Sequence, residues 1–233
     1  MSKEKSFWNR EYQTGKHLAL SMEPSGDMVD FCIYFERVAG EGIIANSKVL
    51  DIGCGNGRNS AYLSQTYSAR GIGFDISVEG IVLANKSLTD GSFEFMVRDL
   101  HESLPAEDGS IGLVLDLMVS HCLEKEARDN YIKELARVLE DRGYVLFKAF
   151  LKEGDPFTDE LLRKHGVKGD PNSYIHPKFE TYEHVWTEEE FLEYVEPYFN
   201  VEHFKPSHGH RRSDGKARKR RYFVAYLSKR EDI

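Results

Sequence analysis

The sequence of 233 residues lacks the long apolar runs of membrane-spanning proteins. Its best candidate, residues 111–123, is interrupted by Asp116 and His121 and is shorter than the roughly 20 apolar residues that a spanning helix needs. The amino terminus also lacks the apolar core of a secretory signal peptide. These absences predict a cytoplasmic protein.

Cysteine is scarce as well, with three residues at positions 32, 54 and 122. An odd number of widely spaced thiols excludes a disulfide framework and a four-thiolate metal site. His203, His208 and His210 lie near one another, but no carboxylate or cysteine completes a recognisable ligand spacing with them. We therefore predict free thiols and no metal ion.

Repeats and low-complexity linkers are absent, and the length suits one sizeable core. Apolar runs of strand length alternate with helical patterns, which is typical of a doubly wound α/β sheet. We predict strands at residues 48–52, 70–75, 92–97, 111–117, 144–150, 200–204 and 222–227. The last two form an antiparallel hairpin, so the predicted fold is a seven-stranded, mostly parallel sheet in one domain, residues 1–233.

Helix signals lie between these strands. A helix begins near Arg58, Ser77 caps a second, and the apolar spacing of residues 131–139 predicts a third, which Gly143 ends. The four parts of the domain are an amino-terminal cap segment, a cofactor-binding core, a lid insertion and a carboxyl-terminal helix with hairpin, at residues 1–44, 45–151, 152–186 and 187–233.

Residues 49–60, which read VLDIGCGNGRNS, are the most informative segment. The apolar run predicts a buried parallel strand, and Gly53, Gly55 and Gly57 allow a sharp turn that approaches a ligand closely. The dinucleotide fingerprint would need its third glycine where Arg58 stands, which disfavours an NAD-linked dehydrogenase. The segment therefore predicts another nucleotide-type cofactor.

Asp51 precedes the first glycine by two residues, and this acid with G-x-G-x-G resembles motif I of the class I S-adenosylmethionine (SAM) dependent methyltransferases. The segment GCGNGRNS is particularly similar to the tellurite-resistance and thiopurine type of small-molecule methyltransferases. The resemblance implies SAM as cofactor, S-adenosylhomocysteine as product, and a Rossmann-like sheet whose last strand is antiparallel. The family usually begins its fourth strand with Asp, where this chain has Gly112.

Each part of SAM has a candidate partner. Asp51 and the glycine loop suit the methionine end, and Asp75 stands where an acid accepts from ribose hydroxyls. By resemblance, Asp99 and the Leu100 amide take the adenine, and the amino-terminal segment covers the cofactor. The predicted cofactor-binding set is Trp8, Tyr12, Asp51, Gly53, Cys54, Gly55, Asn56, Gly57, Asn59, Asp75, Ile76, Asp99, Leu100 and Asp116. Trp8 and Tyr12 fit equally an amphipathic stripe packed on the sheet.

Asp116 and His121 lie near the end of the fourth strand and are the predicted catalytic residues. An ionisable pair facing the acceptor could remove its proton as the sulfonium is attacked. In the alternative interpretation, Asp116 contacts only the cofactor, and His121 caps a helix or is a hydrogen-bonded core histidine.

Aromatic and histidine residues of the insertion suit an acceptor pocket, although they fit lid packing equally well. The predicted substrate-binding residues are Tyr174, His176, Trp186 and Arg220. Thr187 with Glu190 forms a capping box, so a helix follows the insertion.

Charge is distributed unevenly along the chain. The net charge is −8, yet residues 205–221 hold eight Lys or Arg against Asp214, which gives +7 there and −15 elsewhere. This segment could bind a phosphate or carboxylate of the substrate, bind an RNA backbone, or be a solvated loop. It contains no interleaved aromatics, and the acidic remainder also disfavours RNA.

These features predict a SAM-dependent methyltransferase acting on a small molecule, with an anionic acceptor as one option. RNA or protein methylation with docking through the basic segment is the alternative enzymatic function. A SAM-binding subunit without catalysis is a third possibility. The sequence leaves the acceptor atom and the oligomeric state open, and it predicts no membrane partner.

Overall fold

The computed structural model describes residues 3–15, 20–38, 44–45, 47–207 and 220–231. The helices in this part of the chain are α1 (Lys3–Thr14), α2 (Gly26–Val38), α3 (Arg58–Tyr67), α4 (Val78–Ser87), α5 (Lys125–Val138), α6 (Pro156–His165) and α7 (Glu188–Val195). The strands are β1 (Lys48–Ile52), β2 (Arg70–Asp75), β3 (Phe93–Val97), β4 (Ile111–Leu117), β5 (Leu139–Phe150), β6 (Gly166–Val167), β7 (Asp170–Ile175), β8 (Tyr182–His184), β9 (Phe199–Pro206) and β10 (Tyr222–Lys229).

Seven strands form one sheet in the order β3-β2-β1-β4-β5-β10-β9. The first five strands in this order, β3, β2, β1, β4 and β5, run parallel to one another. Strand β10 is antiparallel to both of its neighbours, β5 and β9. The central β4 is buried from Ile111 to Asp116, as expected for a parallel strand covered on both faces. The predicted sheet with its carboxyl-terminal antiparallel hairpin is confirmed.

Side chains alternate between two apolar cores, one on each face of the sheet. Leu50 and Ile52 of β1 join the core that packs under α5 and α7. Val49 of the same strand joins the core under α2, α3 and α4. The alternation explains why the strands read as nearly continuous apolar runs.

Two predicted helix starts are confirmed by their caps. Ser77 Oγ accepts from Gly80 N at 3.1 Å, and Thr187 Oγ1 accepts from Glu190 N at 3.0 Å. The Glu190 carboxylate accepts from Asn172 Nδ2 of the insertion at 2.8 Å. A hydrogen bond therefore links the start of the helix after Thr187 to the insertion that precedes it.

The prediction that Gly143 ends a helix was wrong. Helix α5 ends at Val138 and leads directly into β5, and residues 140–143 bulge out of register with β4. A Cβ on Gly143 would lie 2.8 Å from Leu139 Cδ2 and 3.1 Å from the carbonyl oxygen of Ile111. Glycine is required at position 143 because of close packing at the bulge and not because a helix ends there.

The insertion is more regular than the sequence indicated. It contains α6, which Asp155 caps by accepting from Phe157 N and Thr158 N, and a separate antiparallel sheet in the order β6-β7-β8. Tyr174 and His184 of this small sheet are fully buried. These strands were not predicted from the sequence because they are short and polar and show no alternation of apolar and polar residues.

The two amino-terminal helices pack at different places. Ser77 Oγ, before α4, lies 2.9 Å from Asn9 Oδ1 of α1, whereas Phe31 of α2 meets Tyr226 of β10 edge to face at 5.0 Å. Among the described residues, no helix is both long and apolar enough to cross a membrane.

Candidate active site

A cleft lies at the carboxyl ends of the parallel strands, where open α/β sheets bind ligands. Twelve of the predicted cofactor residues line it: Trp8, Tyr12, Asp51, Gly53, Cys54, Gly55, Asn56, Asn59, Asp75, Ile76, Asp99 and Leu100. Gly57 is behind the loop as the cap of α3, with φ of 74°. Asp116 is not among the lining residues.

The glycine loop is held in a left-handed conformation that side chains rarely adopt. Gly53 and Gly55 have φ of 60° and 56°. A Cβ would lie 2.4 Å from Val119 Cγ2 at the first position and 2.3 Å from Tyr12 Oη at the second. Both positions favour glycine because of the positive φ, and at Gly53 the Val119 side chain also leaves no room for a Cβ.

Two buried carboxylates stand beside this loop. Asp75 accepts from Gly55 N at 3.0 Å and from Ser77 N at 2.8 Å, and Asp51 accepts from Ser60 Oγ at 2.6 Å. Burial raises the pKa of Asp75 to about 6, and burial with the nearby charge of Asp75 raises the pKa of Asp51 to about 7. A carboxylate has about four acceptor sites, so both acids retain capacity for a ligand that donates hydrogen bonds or carries a positive charge.

Asp99 lies at the far end of the cleft and is partly exposed. Its Oδ1 accepts from His101 N at 3.0 Å and lies 2.7 Å from His101 Nδ1. Burial opposes ionisation, but the hydrogen bonds and charge of His101 outweigh it and lower the pKa of Asp99. The acid is therefore an ionised acceptor at neutral pH.

The amino-terminal segment covers one side of the cleft. Glu4, Trp8 and Tyr12 of α1 line it, as the resemblance implied for the latter two. Asn56 Nδ2 donates to Ser21 O at 3.0 Å, so the glycine loop is also bonded to the segment before α2. Asn56 thus has a structural partner in addition to its place in the cleft wall.

Asp116 does not face the cleft, which corrects the expectation that it meets the acceptor. Its Oδ1 accepts from Val119 N and Ser120 N, both at 3.2 Å, and its Oδ2 accepts from Tyr131 Oη at 2.9 Å. The side chain is fully buried. It orders the turn after β4, in which Met118 has φ of 70° and lines the cleft.

His121 is also outside the cleft, although the adjacent Cys122 lines it. The imidazole packs edge to face on Phe150 at 5.0 Å, and its Nδ1 has no hydrogen-bond partner among the described residues. Burial lowers the pKa of His121 to about 4 against the opposing charge of Glu183. The ring is therefore neutral at pH 7 and resembles the core histidine of the alternative interpretation.

We expect His121→Ala to lower the free energy of unfolding by about 1–3 kcal/mol, as buried substitutions do, while turnover stays within about tenfold. The measurements are thermal unfolding and steady-state kinetics, with the exposed His165→Ala as control. A general base would instead cost about 10²–10⁴-fold in turnover with little change in stability. That second result would reinstate the catalytic prediction.

The predicted substrate residues of the insertion lie outside the cleft, mostly in the protein interior. Tyr174 Oη donates to Glu183 Oε2 at 2.5 Å, and Arg220 donates to the same oxygen at 2.6 Å. Trp186 is 2% exposed and packs on Phe191 and Tyr194. None of the three lines the cleft, so the structure does not bear out the expectation that they contact an acceptor: Tyr174 and Arg220 bond to Glu183, and Trp186 packs in the interior.

His176 is the remaining predicted substrate residue. It is partly exposed, and its Nδ1 accepts from Lys178 N at 3.2 Å and from Phe179 N at 3.3 Å. Its ring stacks on Phe179, which in turn contacts Phe7 of α1. It is not among the residues that line the cleft.

The described cations of the basic segment are paired with other groups of the protein. Arg220 forms a buried ion pair with Glu183, and Arg221 donates to the carbonyls of Ser207 and Glu153. Lys205 lies 3.4 Å from Asp30. The other five cations, together with His208 and His210, lie outside the described residues. The expectation of a solvated loop is therefore wrong for Arg220.

Several cleft residues were not predicted. Glu4, Met118 and Lys148 line the cleft, and Ser60 donates to Asp51 behind it. The sequence does mark Lys148 as a candidate, because it is the only charged residue in the apolar stretch 144–150. The turn that presents Met118 has no such local signal.

Comparison with known proteins agrees with this geometry. Residues 49–143 match the family model described as "Methyltransferase domain". Phthiotriol/phenolphthiotriol dimycocerosates methyltransferase 1 of Mycobacterium ulcerans is 33% identical over 131 residues, 56% of this chain and 46% of the relative. Fatty-acid O-methyltransferase of Mycolicibacterium smegmatis is 27% identical over 143 residues, 60% of this chain and 51% of the relative. The chain thus spans about half the length of these curated relatives.

A solved structure shares the fold over nearly the whole chain. It is the 1,6-didemethyltoxoflavin-N1-methyltransferase of Burkholderia thailandensis, with bound 1,6-didemethyltoxoflavin and S-adenosylhomocysteine. The TM-score is 0.65 at 18% identity, over 98% of this chain and 88% of that one. Residues 49–143 are therefore similar to a methyltransferase domain, and the likeness at 18% identity shows that the chain shares the fold of this solved structure.

Proposed function

We propose that this protein transfers the methyl group of SAM to a small-molecule acceptor. The supporting observation is that acids of three adjacent parallel strands line one cleft together with the glycine loop: Asp51 in β1, Asp75 at the end of β2 and Asp99 after β3. SAM, a nucleoside with an amino-acid tail, carries hydrogen-bond donors for all three acids.

The cleft fits the parts of SAM in order along the sheet. Asp51 would hold the methionine ammonium, Asp75 has free acceptor sites for the two ribose hydroxyls, and Asp99 is an ionised acceptor for the adenine amino group. The bound cofactor supplies an electrophilic methyl group on a sulfonium. The protein's part is to hold cofactor and acceptor in line and to exclude water.

Apolar residues also form part of the cleft wall. Leu20, Leu117, Met118 and Leu123 line it beyond the acids, and α1 covers one side. This apolar part of the wall suits a small molecule with few polar groups. The names of the two relatives, one acting on a fatty acid and one on dimycocerosates, agree with an apolar acceptor.

The described cations of the basic segment give no support to RNA docking, because Arg220 and Arg221 bond to acid and carbonyl groups of the protein itself. The decisive experiment is incubation of the protein with methyl-labelled SAM and a cell metabolite extract, followed by mass spectrometry. We expect label in small molecules. Label in RNA or protein, or SAM binding without any transfer, would each overturn the proposed function.

Asp75→Ala should weaken SAM binding by about 10- to 150-fold, because hydrogen bonds to a charged group contribute about 1.5–3 kcal/mol. Calorimetry measures the change, with the exposed Asp141→Ala as control. Because the carboxyl pKa is about 6, wild-type affinity should also fall as pH is lowered through that value, since only the ionised form accepts fully. Equal affinity in the variant would place the ribose elsewhere.

A further inference from the structure

Lys148 is a largely buried cation near the carboxyl end of β5. Its Nζ lies 2.5 Å from Asp27 Oδ2 of α2 and 4.1 Å from the ring centroid of Tyr222. The side chain is 18% exposed, and its open side is in the cleft. The carboxylate and the ring hold the ammonium at one position.

This position is on the side of β4 away from the three acids. Lys148 pairs in register with Leu117, and its carbonyl accepts from Met118 N at 2.9 Å. Both neighbours line the cleft. If SAM lies along β1 to β3 as proposed above, Lys148 faces the space left for the acceptor, so this inference rests on the proposed function.

The other described cations of the cleft are placed differently. Arg98 donates twice to Ser103 O, at 3.1 and 2.7 Å. Arg58 lies at the other end, where its charge lowers the pKa of Asp51 against the larger effect of burial. Within the described part of the chain, Lys148 is therefore the cation of the acceptor side.

The ammonium has three N–H donors, and Asp27 takes one of them. A negatively charged acceptor oxygen can take another through a strong, charge-assisted hydrogen bond. An amine is disfavoured there, because its protonated form is repelled and its free lone pair must remain available for attack. An ionised oxygen also needs no general base, which agrees with the positions of Asp116 and His121 outside the cleft.

We propose that Lys148 binds the acceptor and that the acceptor is an oxygen acid reacting as its anion, a carboxylate or a phenolate. The anionic oxygen attacks the methyl carbon, the O–C bond forms as the C–S bond breaks, and the electron pair stays on sulfur. The products are a methyl ester or ether and neutral S-adenosylhomocysteine. No proton is transferred in this step, and Asp27 acts as a positioning residue for the ammonium.

The test measures binding to protein saturated with S-adenosylhomocysteine, so it does not depend on turnover. Calorimetry compares octanoate with octylamine, and 4-nitrophenolate with 4-nitroaniline. We expect at least one oxygen anion to bind more tightly than its matched amine, and Lys148→Met to weaken that binding by about 10- to 150-fold. The preferred pair tells whether the acceptor is a carboxylate or a phenolate.

Asp27→Asn keeps a side-chain oxygen that can hold the ammonium in place but removes the competing negative charge, so it should tighten anion binding. If Lys148 does not contact the anion, Asp27→Asn should leave anion binding unchanged. Lys205→Met is the matched control. Lys205 pairs with Asp30, which is in α2 like Asp27, but Lys205 does not line the cleft. If Lys148→Met is unstable, the double variant Lys148→Met/Asp27→Asn removes the orphan carboxylate.

The proposal is wrong if no oxygen anion binds in preference to its amine, or if Lys148→Met and the double variant leave anion binding unchanged. A failed proposed function gives a different result, namely no SAM binding or no labelled product with the wild-type protein. The two outcomes can therefore be told apart.

Discussion

Arg128→Met is expected to lower the free energy of unfolding by about 3–5 kcal/mol, the range for breaking a buried ion pair from one side. Arg128 is 4% exposed. It donates to Asp170 Oδ2 at 2.8 Å and to the carbonyl of Leu123 at 2.6 Å, and so joins α5 to the insertion. Without the guanidinium, the buried Asp170 carboxylate keeps hydrogen bonds from Tyr182 and Ser173 but loses its paired cation. Denaturant unfolding measures the loss.

Two variants control this result. Lys125→Met breaks the exposed pair with Asp129 on the same helix and should cost about 0–1 kcal/mol. The double variant Arg128→Met/Asp170→Asn removes both charges and should recover part of the loss. Equal costs for Arg128→Met and Lys125→Met would mean that the insertion is held by apolar contacts instead.

The same ion pair predicts a dependence on pH. Burial opposes ionisation of Asp170, but hydrogen bonds from Tyr182 and Arg128 outweigh it and lower its pKa to about 2. A depressed carboxyl pKa adds stability above the unfolded value near 3.8, and this stability is lost as pH falls toward 2. Asp170→Asn should lack that part of the acid transition.

Gly53→Ala is expected to cost about 2–5 kcal/mol of stability or of SAM binding. A side chain at φ of 60° costs about 1–2 kcal/mol, and the overlap with Val119 at 2.4 Å adds about 1–3 kcal/mol. Val119 lines the cleft, so the clash moves its wall. Thermal unfolding without cofactor and calorimetry with SAM together measure both effects.

Gly91→Ala is the matched control for backbone strain, because Gly91 has φ of 75° and no atom within 4 Å of its Cβ position. It should cost about 1–2 kcal/mol and leave SAM binding unchanged. Gly53→Ala/Val119→Ala should recover the part due to overlap. If Gly53→Ala behaves like Gly91→Ala, the contact with Val119 has no role in shaping the loop.

The insertion is attached to the core by two buried ion pairs, Arg128 with Asp170 and Arg220 with Glu183. Phe179 on the β7–β8 turn also contacts Phe7 of α1, which forms a wall of the cleft. That the insertion functions as a lid stays a prediction. The contacts imply that any opening must break charge pairs in the protein interior, which is costly.

The sequence alone determined the sheet, the glycine turn and the acids beside it. Strand period, helix caps and glycine positions are set by residues close together in the chain, so they can be predicted locally. Asp51 and Asp75 could be placed because the carboxyl ends of parallel strands meet at one edge of a sheet.

Only the tertiary structure decided which side chains face the cleft. Asp116 turns inward because the backbone after β4 passes through Met118 at φ of 70° and gives the carboxylate two N–H donors. Lys148 and Asp27 meet across 121 positions of the chain, and Arg220 and Glu183 across 37. Partners so far apart are chosen by the packing of whole helices and strands, which local sequence patterns do not specify.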